Sequence, residues 1–221
     1  MRIHGLTTCV NYADKLKHGI GNWLPALTSL TIVTSAQDNE TNLLAEQYGA
    51  NVVNTHAFWI NDNGVRDSMF NKSRAMMVGI EHMPWEAWIL FFDADVSPQS
   101  GWLQQVEAFE PRCGNLYGAQ RMLDDGTVKR EGEIAGFFQM FHVNDPVVQA
   151  KPLLTSHTNA SGYDSIFQSR WPRENRIVMP LVLRHFGPHG QHWCGIHNDA
   201  AMDALRQERK RRGGWQHEVI Q

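Results

Sequence analysis

Asp93-Ala-Asp95 follows the most apolar stretch of the chain, Trp88-Ile-Leu-Phe-Phe92. Two aspartates at i and i+2 after a strand can meet one hard cation when the turn bends their carboxylates together. An oxygen set with open positions suits Mg2+ or Mn2+, which keep waters and take their remaining ligands from substrate phosphates. An Asp-x-Asp pair alone is a weak signal. Here it follows a buried strand after three βα units, which gives it weight against the alternative of two solvated aspartates at a strand end.

A second constellation is His185-Phe-Gly-Pro-His-Gly-Gln-His-Trp-Cys194. With His197 added, His185, His189, His192 and Cys194 are borderline or soft ligands of the kind zinc takes. Their spacing matches no standard finger, and Pro188 between glycines reads as a loop, so structural zinc in a binding module stays as an alternative. A third group is the basic run Arg206–Arg212, five basic residues and one acidic, followed by Trp215. Basic side chains beside an aromatic can grip a phosphate backbone or a flipped base. They can also lie on an anionic membrane or form a solvated tail.

These groups need a scaffold, and the hydrophobic pattern predicts one. Ile3–Val10 reads as a strand, Ala13 to about Leu30 as an amphipathic helix, and Leu30–Thr34 as a buried strand. Asp38 and Thr41 supply capping chemistry for a helix that Gly49 stops, and Asn51–Asn54 follows as a strand. The segment 64–70 is a polar connection; Asn71–His82 returns to helical spacing, and Pro84 ends it. Beyond Ser97 the pattern predicts a helix at Trp102–Phe109 and strands at Gly118–Met122 and Ala135–Val143, around a polar segment at 123–133. A helix at Ser161–Trp171 and a strand at Ile177–Arg184 complete it. Alternating βαβα order with continuous apolar strands implies an α/β domain with a mostly parallel sheet flanked by helices. Ligands of such sheets bind beyond the carboxyl ends of the strands, where Asp93 and Asp95 stand.

At 221 residues, 42% hydrophobic and 19% charged, the chain matches one soluble globular domain. A formal charge of −3 gives no global pull toward nucleic acid or anionic membrane. Three scattered cysteines, Cys9, Cys113 and Cys194, form no disulfide framework and point to reduced thiols. MRIHGLTTCV lacks a signal-peptide pattern and no apolar run is long enough to span a membrane, so the expectation is a cytoplasmic protein.

Phe70-Asn-Lys-Ser-Arg-Ala75, followed by Ile89-Leu-Phe-Phe-Asp-Ala-Asp-Val96, resembles the paired signature of GT-A glycosyltransferases, a Rossmann-like fold. The likeness covers about residues 1–200. It implies a donor half at 1–96, an acceptor and catalytic half at 97–200 with a smaller mixed sheet, and a basic tail at 201–221. By the resemblance, Asp95 ligates Mn2+ or Mg2+ directly and Asp93 contacts ribose or metal-bound water. His185 is a further metal ligand, because such enzymes often carry a late histidine after a strand. Asn71, Lys72 and Arg74 face the nucleotide or its phosphates, although Lys72 and Arg74 also fit a solvated helix face. Thr7, Asn11 and Asp38 line the base pocket.

Gly162-Tyr-Asp-Ser-Ile-Phe167 resembles the acidic segment of inverting transferases, which makes Asp164 the general base or, alternatively, a helix N-cap. Asp124, Asp125, Glu131 and Glu133 are weaker candidates. Trp193-Cys-Gly195 resembles the family's Trp-x-Gly, with Ile196 where an Arg often follows. Trp193, Arg206 and Arg209 are the acceptor-binding candidates. The implied reaction transfers a sugar from a nucleotide sugar, with UDP as the expected nucleotide, to a hydroxyl. The resemblance extends to bacteriophage transferases that glycosylate hydroxymethylated pyrimidines in DNA, acting in the host cytoplasm, and to transferases that build lipid-linked surface glycans. A sugar nucleotidyltransferase fits less well, because Thr7–Tyr12 lacks the glycine of a phosphate loop.

Overall fold

The computed structural model describes residues 1–59, 70–129, 134–149, 154 and 163–186. In chain order, β1 (Ile3–Thr8), α1 (Ala13–Trp23), β2 (Ser29–Thr34), α2 (Asn39–Gln47) and β3 (Asn51–Asn54) lead into α3 (Lys72–His82) and β4 (Trp88–Asp93). Then follow β5 (Val96–Pro98), α4 (Trp102–Ala108), β6 (Leu116–Met122), β7 (Val128–Lys129), β8 (Phe138–His142), α5 (Pro146–Gln149), α6 (Tyr163–Gln168) and β9 (Arg176–His185).

One sheet carries the order β3-β2-β1-β4-β8-β6-β9-β5, with β7 against β6. The run from β3 to β4 is parallel throughout. Antiparallel β8 joins β4 to β6, β6 runs parallel to β9, and β5 closes the far edge antiparallel to β9. A four-stranded parallel half and a five-stranded mixed half are therefore joined in one α/β sheet, the parallel half as the element order implies. The parallel strands β1, β2 and β4 are buried on both faces because helices cover both. Leu16, Ile20 and Trp23 of α1 pack on one face with Phe92 and Trp102. Ala75 and Met76 of α3 and Phe167 of α6 pack on the other with Leu6, Val33 and Phe91.

Several element ends differ from the sequence pattern for identifiable reasons. The first helix stops at Trp23 rather than near Leu30, because Pro25 falls in a short 3-10 turn at Leu24–Ala26. The strand expected from Ala135 begins at Phe138, since residues 135–137 turn to meet α6. β5 is three residues long and includes Pro98, too short for any periodic pattern, and exists because β9 pairs with it. β7 is a two-residue pairing inside the polar segment.

α3 sits unusually close to the sheet. A Cβ on Gly79 would lie 2.5 Å from Val33 Cγ2 and 2.7 Å from Leu6 Cδ1, so only glycine permits this approach. That contact fixes the depth at which α3 presents its first residue, Lys72, to the end of β4. Among the described residues, no helix is long and apolar enough to cross a membrane.

Candidate active site at the end of β4

Asp93 is the last residue of β4, and its N–H donates to the carbonyl of Phe137 (3.3 Å). The chain turns through Ala94 and Asp95 into β5, whose antiparallel register places Val96 opposite His185. The N–H of Phe186 donates to the Asp95 carbonyl (2.8 Å), which seals this junction. His185, ninety residues downstream, is thereby delivered to Asp95, with Nε2 3.4 Å from Oδ2. The Tyr12 hydroxyl donates to the same oxygen (3.4 Å). The other oxygen, Asp95 Oδ1, is buried and has no hydrogen-bond partner among the described residues. Burial opposes charge on His185, but the hydrogen bond to Asp95 and its negative charge prevail and lift the imidazole above the ordinary histidine value.

A carboxylate oxygen buried without a donor is costly, and a cation is the partner its chemistry invites. A carboxylate beside an imidazole suits Mn2+, which accepts both oxygen and borderline nitrogen. Among the described residues no group of three or more His, Cys, Asp and Glu side chains gathers around one point. The pair Asp95 and His185 has the chemistry to fit the protein side of a divalent-ion site, whose shell waters or phosphate oxygens would complete.

Asp93 has different company. Its Oδ1 accepts a hydrogen bond from the ammonium of Lys72, a close ion pair with the lysine side chain 9% exposed and the aspartate 33%. Lys72 is the first residue of α3, where the helix dipole disfavours a cation. Burial also works against its charge, yet Asp93 outweighs it and holds the ammonium protonated. The Lys72 Nζ lies 4.9 Å from the centroid of the Tyr163 ring. Burial in turn raises the Tyr163 phenol, with Lys72 opposing.

The next residue, Asp164, lies within α6 rather than at its N-cap. Its Oδ2 accepts from Gly136 N–H (3.0 Å) and its Oδ1 from Ser165 N–H (2.9 Å). Burial lifts its carboxyl above the ordinary value, against the pull of Lys72 and of the two N–H groups. A partly desolvated carboxylate with raised proton affinity is chemically suited to general-base work.

The residues expected around a base fall into two kinds. Asn11 adopts a left-handed φ of 53° and its N–H donates to Asp38 Oδ2 (2.7 Å). Asp38 also accepts from Thr34 Oγ1 (3.1 Å) and caps α2 through Thr41 N–H (3.1 Å), so both its oxygens are engaged. Asn71 likewise spends its side-chain oxygen capping α3, accepting from Arg74 N–H and Ser73 Oγ (both 3.1 Å). Arg74 is partly exposed. Thr7 is fully buried within the sheet, paired with Phe92, its hydroxyl without a hydrogen-bond partner among the described residues. Trp193, Arg206 and Arg209 lie outside the described residues, as do His189, His192, Cys194 and His197. Asp124 and Asp125 sit on the turn before β7, and Glu131 and Glu133 lie outside. Tyr12 and Gly136 were not legible as site residues, for each acts through a contact far away in sequence.

No protein-family model matches the chain, and no curated protein sequence matches it. Solved structures do. A mycobacterial protein of that description superposes with a TM-score of 0.60 at 15% identity, over 84% of this chain and 68% of that one. Glucosyl-3-phosphoglycerate synthase from Mycobacterium tuberculosis, solved with Mn2+, UDP and glucosyl-3-phosphoglycerate, gives 0.54 at 14% identity, over 84% of this chain and 72% of that one. GalNAc-T7, solved with UDP, GalNAc and Mn2+, gives 0.57 at 8% identity over 94% of this chain, which spans only 48% of that longer one. At such identities the likeness establishes the fold: this chain has the α/β architecture of the GT-A glycosyltransferases.

Proposed function

We propose that this chain is a metal-dependent glycosyltransferase that moves a sugar from a uridine diphosphate sugar to a hydroxyl acceptor. The observation that carries the reading is the convergence of Asp95 and His185 at the carboxyl edge of β4, with Asp95 Oδ1 buried and lacking a donor among the described residues. Fold alone does not assign chemistry. The presence of Mn2+ and UDP in the glucosyl-3-phosphoglycerate synthase and GalNAc-T7 structures supports the same reading from outside.

Asp95 and His185 would hold Mn2+ or Mg2+, which when bound supplies charge neutralisation for a departing diphosphate. Asp164 accepts the proton of the acceptor hydroxyl as that oxygen forms its bond to C1 of the donor sugar. The bond from C1 to the diphosphate oxygen breaks, its electron pair leaves on the nucleotide diphosphate, and C1 inverts. Asn11 and Arg74 contact the nucleotide. Asp38, Asn71 and Lys72 shape that pocket through others, because the Asp38 carboxylate, the Asn71 side-chain oxygen and the Lys72 ammonium are engaged by Asn11, Arg74 and Asp93. The acceptor we favour is the hydroxyl of a hydroxymethylated pyrimidine in DNA, on the strength of the basic Arg206–Arg212 run beside Trp215.

Calorimetric titration of UDP into the purified protein, with and without Mn2+, tests the reading. Binding that requires the metal is expected. Absence of binding with UDP, GDP and CDP in both conditions would overturn it. Transfer from UDP-glucose to DNA containing hydroxymethylcytosine, against unmodified DNA, tests the acceptor.

A further inference from the structure

The four residues before β8 touch both halves of the site. Ile134 N–H donates to Gln168 Oε1 of α6 (3.2 Å). Gly136 N–H donates to Asp164 Oδ2 (3.0 Å), and the Gly136 carbonyl accepts from the Tyr163 hydroxyl (3.4 Å). One residue on, the Phe137 carbonyl accepts from Asp93 N–H (3.3 Å). Gln139, the second residue of β8, adds a bond from Nε2 to the Asp164 carbonyl (3.4 Å). The start of α6 is thus stitched to the same short segment that ends the β4 ladder.

Gly136 is the tightest point of this seam. A Cβ there would lie 2.8 Å from Asp164 Cβ, 3.0 Å from Oδ2 and 3.2 Å from Cγ. No left-handed φ calls for glycine at 136; the requirement is space. The nearest obstacle is the Asp164 Cβ, which cannot swing away as the end of a flexible chain can, so a methyl at 136 must displace the carboxylate or α6 itself.

We propose that Gly136 is a positioning residue: it seats the Asp164 carboxylate on its own N–H, and through the adjoining Phe137 carbonyl sets where that carboxylate stands relative to Asp93-Ala-Asp95. The assignment rests on Asp164 serving as the base in the reaction proposed above. It makes one glycine, twenty-eight residues from Asp164, a determinant of rate without contact with either substrate.

The first measurement is spectroscopic. In a pH series of 1H–15N spectra, the Gly136 amide should shift with a single midpoint matching that of the Asp164 carboxyl carbon, and Asp164→Asn should abolish the shift. Lys72, Asp93 and Tyr163 are the other titratable groups facing Asp164, so the carboxyl carbon is followed directly. A Gly136 amide that ignores the Asp164 titration would overturn the seat.

The second measurement is kinetic, with UDP release from UDP-glucose in Mn2+. Gly136→Ala should lower kcat roughly 10²-fold, within the range for a misplaced general base, while KM and calorimetric UDP affinity stay within twofold. Gly136→Ala added to Asp164→Gly, which removes the obstructing Cβ together with the carboxylate, should cost nothing further, because the glycine acts only through that side chain. Multiplicative losses in the double variant, or a loss carried by KM, would overturn the role. If the wild-type protein binds no UDP with Mn2+, the glycosyltransferase reading falls while the spectra still decide whether Gly136 seats Asp164.

Discussion

Asp93 and Asp95 leave the end of β4 two residues apart and enter unlike surroundings. Asp93 turns to the layer built on α3 and α6, where a buried ammonium from Lys72 neutralises it. Asp95 turns to the β1–α1 junction and the end of β9, where its neighbours are a neutral hydroxyl and an imidazole. The Asp93 side is already balanced within the protein. The Asp95 side has a buried oxygen that nothing in the described protein satisfies. Two carboxylates of one short motif are thus divided between an ion pair and the site that, on the proposed reading, would bind a cation. The ion-pair flank continues to Asp164 through Tyr163, so the two flanks separate the groups suited to a metal from the group suited to a proton.

The sharpest way to break this division is to remove each carboxylate in turn. Asp95→Ala should cost on the order of 10³-fold in Mn2+-dependent turnover, equivalent to about 4 kcal/mol of transition-state stabilisation. UDP should then bind equally weakly with and without Mn2+. Asp93→Asn should keep metal-dependent UDP binding. Calorimetry on the pair decides the matter, and loss of metal dependence in both variants would erase the distinction between the flanks.

Asp164→Asn probes the far end of the ion-pair flank. A loss of roughly 10²-fold or more in kcat, with UDP affinity unchanged, is expected for removal of a general base. In the wild type, kcat should fall on the acid side with a midpoint above the ordinary carboxylate range, because burial raises the Asp164 proton affinity. The same shift fixes the sign of the stability effect. A carboxyl whose folded value is raised contributes its stability below the unfolded value and loses it as pH rises through the folded one. At pH 7 the buried charge is therefore a burden, whose relief offsets the N–H bond that the Asn amide nitrogen cannot accept, and Asp164→Asn should melt close to wild type there. A variant that lost both rate and melting temperature at pH 7 would mark Asp164 as structural.

The ion pair itself is tested next. Lys72→Met leaves Asp93 facing an apolar neighbour and should destabilise the fold by about 2 kcal/mol, less than a fully buried pair because Asp93 is a third exposed. Asp93→Leu in the Lys72→Met background should restore most of that loss, since an apolar pair of similar volume replaces an ion pair at little net cost. Urea unfolding of the four proteins in this cycle measures the coupling. An additive result would mean that the two side chains do not depend on each other.

Much of this arrangement is legible in the sequence, and the unreadable part has a common cause. The apolar run Trp88–Phe92 announces β4, and the motif at its end announces the edge where a ligand binds. Asp38 announces a helix start through its capping chemistry and caps as expected, whereas Asn71, which the resemblance turns toward the nucleotide, caps α3. His185 was reachable only through resemblance, because its place beside Asp95 depends on β5, a strand too short to read. For Lys72 the resemblance implies a place facing the nucleotide or its phosphates, and no local pattern announces its ion pair with Asp93. Its pairing with Asp93 depends on how deeply Gly79 lets α3 sink onto β1 and β2. The seat at Gly136 is likewise a tertiary distance. Local pattern dictates elements and their ends, whereas the commitment of a polar group to one partner is decided by packing between elements distant in sequence.

The mildest test concerns Tyr12, which looked in sequence like nothing more than the end of a strand. Its hydroxyl donates to Asp95 Oδ2 at 3.4 Å, a long bond, while its ring packs against the core on the α1 face. Burial and then the neighbouring Asp95 raise the phenol, so it stays a donor across the working pH range. A donor on Oδ2 helps to hold Asp95 with Oδ1 left without a donor among the described residues, in the way outer ligands orient metal-binding side chains. Removing one long hydrogen bond costs about 0.6 kcal/mol, at the low end for such bonds, which corresponds to roughly threefold. Tyr12→Phe should therefore weaken Mn2+ binding about threefold, leave kcat at saturating metal unchanged, and leave the melting temperature within a degree or two. Unchanged Mn2+ affinity would mean that His185 alone orients Asp95. A loss as large as that of Asp95→Ala would mean that Tyr12 belongs to the metal site itself.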